Sequence, residues 1–97
     1  MKLKNVKGTS DNTCYCKSWL THWETYSKLS RPKYCSEKSC INAPEVGAHV
    51  IKVGSTDKDW YIIPLCKKHN KEDEEFEASA GVTLVKANVS ETCGEGK

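Results

Sequence analysis

The sequence predicts one small α+β domain that depends on a bound metal ion for its fold. The chain has 97 residues, which suffices for a single domain, and only 37% of them are hydrophobic. Six Cys and three His supply the crosslinking groups that so small a core needs. Helix-like and strand-like apolar patterns follow one another along the chain. We therefore predict a single zinc-binding domain over residues 14–97, preceded by a flexible polar leader over residues 1–13.

An amphipathic helix is predicted over residues 18–29. Its apolar side chains recur at helical spacing and are mostly aromatic: Trp19, Leu20, Trp23 and Tyr26. Ser18 suits the N-cap position, and the helix must end before Pro32 because the residue preceding a proline avoids helical angles. The aromatic stripe of this helix is expected to pack against the core.

A β-hairpin is predicted next. The side chains of residues 46–53 alternate between two faces, which is typical of a strand, and His49 lies in the middle of that pattern. Residues 54–59 are turn-forming, and residues 60–63 have the β-branched and aromatic composition of a second strand. Pro64 is expected to end this second strand.

The last part of the domain is predicted to contain a short helix and a short strand. The helix begins at Cys66 and is expected to fray near residue 75, because the acidic side chains of residues 72–75 repel one another at helical spacing. Gly81 breaks the helical pattern, and residues 82–87 have strand composition.

Two close pairs of metal ligands enclose the predicted hairpin. The sequence has Cys35-x4-Cys40, then 25 residues, then Cys66-x2-His69. Thiolate and imidazole groups in two such pairs suit one tetrahedral zinc ion, and a reducing compartment favours thiolate–metal bonds over disulfides. We therefore predict a structural Zn²⁺ held by Cys35, Cys40, Cys66 and His69. The alternative for His69 is a solvated surface imidazole.

Three further cysteines leave several interpretations open. Cys14 and Cys16 are one residue apart, and Cys93 lies near the C-terminal end of the sequence. Together with His22 they could form a second zinc site. The alternatives are free thiols that pack as small hydrophobes and a disulfide that forms only on oxidation.

The segment that contains both ligand pairs resembles the HNH, or His-Me finger, family over roughly residues 34–76. The residues that carry the resemblance are the Cys35-x4-Cys40 knuckle, Gly47-Ala48-His49-Val50, the hairpin, and Pro64-Leu65-Cys66-Lys67-Lys68-His69-Asn70-Lys71. The resemblance implies a treble-clef ββα-metal core braced by the zinc ion. It also implies that His49 is the general base of a metal-dependent endonuclease that hydrolyses phosphodiester bonds. Asn70 matches the position of a ligand for a catalytic Mg²⁺ or Mn²⁺ ion.

Two positions keep a non-catalytic alternative open. Ala48 stands where many members of that family have an Asp that binds the catalytic metal, and Tyr61 stands where an Asn that orients the histidine is expected. The second hypothesis is therefore a non-catalytic zinc-binding module of the same fold, which binds nucleic acid or a protein partner.

The net charge and the apolar pattern of the sequence bear on its binding partner and its cellular location. The formal net charge of +2 is far below that of a dedicated DNA-binding domain. The resemblance favours nucleic acid as the partner, DNA before RNA, and a protein partner is the alternative. The sequence has no apolar run of the length of a signal peptide or a membrane span, so we expect a cytoplasmic protein without membrane contact.

Overall fold

A five-stranded antiparallel sheet and two helices form the structure, a computed structural model that describes residues 1–6 and 19–87. The strands lie in the order β4-β1-β2-β3-β5. In chain order the elements are β1 (Lys2–Asn5), α1 (Trp19–Ser27), β2 (Val46–Lys52), β3 (Tyr61–Leu65), α2 (Lys67–Asn70), β4 (Phe76–Glu77) and β5 (Val85–Lys86). The predicted α+β class is confirmed. No helix within the described residues is long and apolar enough to cross a membrane.

The predicted hairpin is confirmed, and its second strand is longer than expected. β2 and β3 pair from Val46 opposite Leu65 to Val50 opposite Tyr61, so the strand continues through Pro64. The Pro64 carbonyl accepts a hydrogen bond from the Ser36 backbone N–H at 2.9 Å, on the side of β3 away from β2. β5 does not extend this far along β3, so a proline nitrogen at this position removes no bond from the sheet.

β1 corrects the prediction that residues 1–13 form a flexible leader. Leu3 is fully buried and pairs with Lys52 on one side and with Phe76 on the other. The apolar alternation in this strand covers only four residues, which is too short to distinguish a strand from a polar leader. Residues 7–13 lie outside the described part of the chain.

The segment after α2 also differs from the prediction. α2 ends at Asn70, and Phe76 and Glu77 form a strand where we predicted a fraying helix. The acidic repulsion that weakens a helix here is relieved in an extended chain, and Phe76 gains a buried position beside β1. At the other predicted strand, only Val85 and Lys86 of residues 82–87 pair with β3.

Helix α1 packs closely on one face of the sheet. A Cβ atom at Gly47 would lie 2.4 Å from the carbonyl carbon of Trp19 and 2.5 Å from the nitrogen of Leu20, so the absence of a side chain allows this approach. On this face Trp23 packs against Ile62 and Val85. The opposite face carries the larger apolar cluster, which includes Leu3, Cys35, Ala48, Val50, Ile63, Leu65, Cys66 and Phe76. The two central strands, β2 and β3, therefore bury side chains on both faces.

Candidate metal centre

The four predicted zinc ligands come from three places in the fold. Cys35 and Cys40 lie in the connection between α1 and β2, Cys66 directly follows β3, and His69 lies in α2. The Cys35 N–H donates to the carbonyl of Asn42 at 2.7 Å, so the connection folds back on itself. The bond from Ser36 to Pro64 then holds this loop at the end of β3, beside Cys66. One bond within the loop and one between the loop and β3 thus bring the two ligand pairs together.

The distances between the ligand atoms match tetrahedral zinc. The three Sγ atoms and His69 Nδ1 all lie within 4.8 Å of one another. With Zn–S and Zn–N bonds of about 2.3 and 2.0 Å, a tetrahedral ion separates two sulfurs by about 3.8 Å and a sulfur from a nitrogen by about 3.5 Å. The Cys40 and Cys66 sulfurs are 3.8 Å apart, and His69 Nδ1 is 3.7 Å from Cys35 Sγ and 3.3 Å from Cys66 Sγ. These four residues could therefore bind a metal ion.

The surroundings of two of the sulfurs shift their pKa values in opposite directions. Burial raises the pKa of the Cys35 thiol to about 12. At Cys66, burial also acts to raise the pKa, but hydrogen bonds from the His69 backbone and from neighbouring side chains outweigh it and lower the pKa to about 6. None of the three cysteines forms a disulfide. A dication in their midst would stabilise all three thiolates, which is the ligand set that zinc prefers.

Two side chains outside the cluster lie beside His69. Glu37 Oε1 lies 4.0 Å from His69 Nε2 and also accepts the Ser39 N–H at 2.8 Å. If Nδ1 binds the metal, Nε2 carries the proton and points it toward this carboxylate, an arrangement that often orients metal-binding histidines. Asn5, in β1, donates from Nδ2 to the carbonyls of His69 at 2.7 Å and Glu72 at 3.0 Å. Sequence reasoning missed both residues, because each acts through a contact distant in sequence or specific to the loop.

His49 lies on the other face of the sheet. Its neighbours Ala48 and Val50 belong to the apolar cluster that contains Cys35 and Cys66, and strand alternation directs His49 away from that cluster. His49 as a whole is 6% exposed, and its imidazole packs edge-on against the Trp19 ring, with centroids 4.5 Å apart. Burial, and to a smaller extent the nearby His22, lowers its pKa to about 4.

The two residues of the predicted catalytic pair lie in different elements, His49 in β2 and Asn70 in α2. Asn70 is the exposed last residue of α2. Among the residues that the structure describes, no hydrogen bond or ring contact connects it to His49. Asn70 therefore shares its helix with a zinc ligand, whereas His49 belongs to the aromatic layer beneath α1.

Three of the four residues considered for a second zinc site, Cys14, Cys16 and Cys93, lie outside the described residues. His22, its fourth predicted ligand, is fully buried in α1, and its Nε2 donates to the carbonyl of Lys86 at 3.0 Å. His22 therefore links α1 to β5, which is a structural role.

The fold and the site define a class: a small α+β domain with a Cys3His cluster that can hold one metal ion. Comparisons with protein-family profiles, with curated proteins and with solved structures find no match for this chain. The resemblance to the HNH family accordingly stays a prediction, and the geometry of the chain itself must carry any functional argument.

Proposed function

We propose that this chain is a zinc-binding module in which one structural Zn²⁺ ion shapes a surface for a partner. The observation that carries the proposal is the convergence of Cys35, Cys40, Cys66 and His69, whose ligand atoms all lie within 4.8 Å of one another. Four protein ligands fill a tetrahedral zinc site and leave no position for a reactive water, which is typical of structural zinc. When bound, the ion supplies crosslinking between the loop, the sheet and α2.

The surroundings of His49 favour the non-catalytic alternative over the endonuclease. A general base must reach the water from which it takes a proton. The His49 ring is instead enclosed by Trp19 on one side and approached by Trp60, whose ring centroid is 6.1 Å away. An imidazole with a pKa of about 4 is also a weak base at neutral pH. We infer that His49 packs α1 against the sheet and that the module acts by binding.

Zinc analysis tests the structural role of the ion. We expect the purified protein to hold one zinc ion at the Cys3His cluster, and chelation to abolish the cooperative thermal transition measured by circular dichroism. Cys66→Ser should lose this ion, whereas Cys93→Ser, which removes a cysteine outside the cluster, should retain it. A chelated protein with an unchanged melting curve would refute the proposal.

A cleavage assay tests the binding module against the nuclease. The zinc-loaded protein is incubated with plasmid and with single-stranded DNA in Mg²⁺ or Mn²⁺, and wild type is compared with His49→Ala. We expect no nicking by either protein. Nicking that requires the added metal and disappears in a folded, zinc-loaded His49→Ala variant would establish the endonuclease and assign its base.

A further inference from the structure

The connection between α1 and β2 concentrates the exposed apolar side chains of the described residues. Six large apolar residues are substantially exposed in the described part of the chain, and four of them lie in the last turn of α1 or in this connection: Tyr26, Leu29, Tyr34 and Ile41. Leu29 is 48% exposed and Tyr34 is 49% exposed. These two side chains border a groove of about 420 Å³. Exposed apolar area clustered around a concavity is typical of a binding surface.

The groove itself is apolar and uncharged. Leu29, Pro32 and Tyr34 form one wall, and the segment of residues 79–83 forms the other. Trp23 borders the groove but is buried, and its indole N–H already donates to the carbonyl of Thr83 at 2.8 Å, so it offers a ligand no free donor. None of the lining residues is Asp, Glu, Lys or Arg. Such a lining fits a large apolar side chain.

The border of the groove is basic on one side. Three exposed cationic residues alternate with its lining residues: Lys28 precedes Leu29, Arg31 precedes Pro32, and Lys33 precedes Tyr34. Arg31 forms an ion pair with Glu24 at 3.1 Å, and the Lys33 ammonium lies 5.7 Å from the centre of the Tyr34 ring. The facing segment, residues 79–83, contains no charged side chain. The field at this border therefore favours an anionic ligand.

We propose that this groove binds an acidic peptide segment that inserts one large apolar side chain between Leu29, Tyr34 and Val82. The inference rests on the proposed function, because Cys35 and Ser36 also line the groove and the zinc ion would hold them in place. A peptide fits better than single-stranded nucleic acid. Nucleic acid needs successive aromatic platforms for its bases, whereas this groove has one exposed aromatic ring, Tyr34, and a lysine already covers it.

Selection from a random peptide library displayed on phage tests the proposal. Zinc-loaded protein is the target, and enriched peptides are expected to combine several Asp or Glu residues with one Leu, Phe, Met or Trp. The most enriched peptide is then synthesised, and its Kd is measured by fluorescence anisotropy. Leu29→Ser and Lys33→Glu should each weaken binding about tenfold or more, because they remove an apolar contact and reverse a charge.

Two matched controls separate the groove from general surface effects. Ile41→Ser removes an apolar side chain that is 82% exposed but does not line the groove. Lys58→Glu reverses an exposed charge in the turn between β2 and β3. Both variants should bind the peptide within about twofold of wild type, since neither changes the groove.

Four outcomes would overturn the proposal. They are no enrichment above the bare support, enriched peptides without an acidic excess, a Kd unchanged in Leu29→Ser, and mixed-sequence single-stranded DNA that binds through Leu29 and Lys33 in place of a peptide. Zinc content is measured on every sample. If the protein holds zinc and these outcomes occur, only the groove assignment is wrong, whereas a protein without zinc refutes the proposed function first.

Discussion

His49 should make the stability of the protein sensitive to mild acid. An unfolded chain releases the imidazole proton near its ordinary pKa of 6.5, whereas burial lowers the pKa of folded His49 to about 4. At pH values between 4 and 6.5, His49 binds a proton in the unfolded chain but stays neutral in the folded protein. The free energy of unfolding therefore falls as the pH falls, by up to about 1.4 kcal/mol per pH unit. Between pH 6.5 and pH 4 the free energy of unfolding falls by about 3 kcal/mol in total. The stability that depends on a neutral His49 is therefore fully present only above pH 6.5.

Urea denaturation of the zinc-loaded protein measures this loss. Acid also protonates the zinc ligands, so the contribution of His49 must be isolated by difference. His49→Phe keeps an aromatic ring against Trp19 and cannot titrate. Between pH 6 and pH 5 we expect wild type to lose about 1 kcal/mol more than His49→Phe, with zinc content monitored in both proteins. His22 titrates in both proteins, so the difference contains only its charge interaction with His49, which is the smaller cause of the lowered His49 pKa.

Equal pH dependence in wild type and His49→Phe would refute this reasoning. It would mean that folded and unfolded His49 take up protons alike, and hence that water reaches the ring. An accessible imidazole with an ordinary pKa is what a general base requires, so the same result would support the endonuclease hypothesis.

Three further substitutions test the contacts that surround the two faces of the sheet. Gly47→Ala should cost about 1–3 kcal/mol in urea unfolding, because its Cβ would lie 2.4 Å from the backbone of α1. A loss below about 0.5 kcal/mol would contradict the close approach. Glu37→Gln should weaken zinc binding about 10–100-fold, measured by competition with a chromophoric chelator. Glu74→Gln, which changes an exposed carboxylate away from the cluster, should leave the zinc affinity unchanged. Asn5→Leu should destabilise the zinc-loaded protein by about 2 kcal/mol, because two carbonyls lose a donor, and unchanged unfolding would show that the amide is dispensable.

The candidate metal centre could be predicted because the two ligands of each pair lie close together in the sequence. Cys35 and Cys40 are five residues apart and Cys66 and His69 are three apart, so short loops and a helix start bring each pair together. The hairpin between the pairs was predictable for the same reason, because strand alternation over β2 and turn-forming residues after it are visible in the sequence.

The outer strands could not be predicted, because they depend on pairing between distant segments. Leu3 joins the sheet by pairing with Lys52 and Phe76, which lie far along the chain. β4 and β5 have only two residues each. Such short segments carry no measurable periodicity. The proximity of Asn5 and Glu37 to His69 could not be predicted for the same reason. Asn5 donates to the backbone carbonyl of His69 and Glu37 lies near its ring, and both contacts join residues that are distant in the sequence.

The alternation of β2 argues for binding rather than hydrolysis. Ala48 and Val50 face the apolar cluster that contains the zinc ligands, so His49 must face α1. A catalytic role for His49 together with a metal near α2 would require groups on opposite faces of one sheet to meet at the same phosphate. Binding at the connection between α1 and β2 makes no such demand, because Cys35 belongs both to the zinc cluster and to the wall of the groove. Loss of zinc should therefore abolish partner binding, whereas His49→Phe at neutral pH should leave it intact.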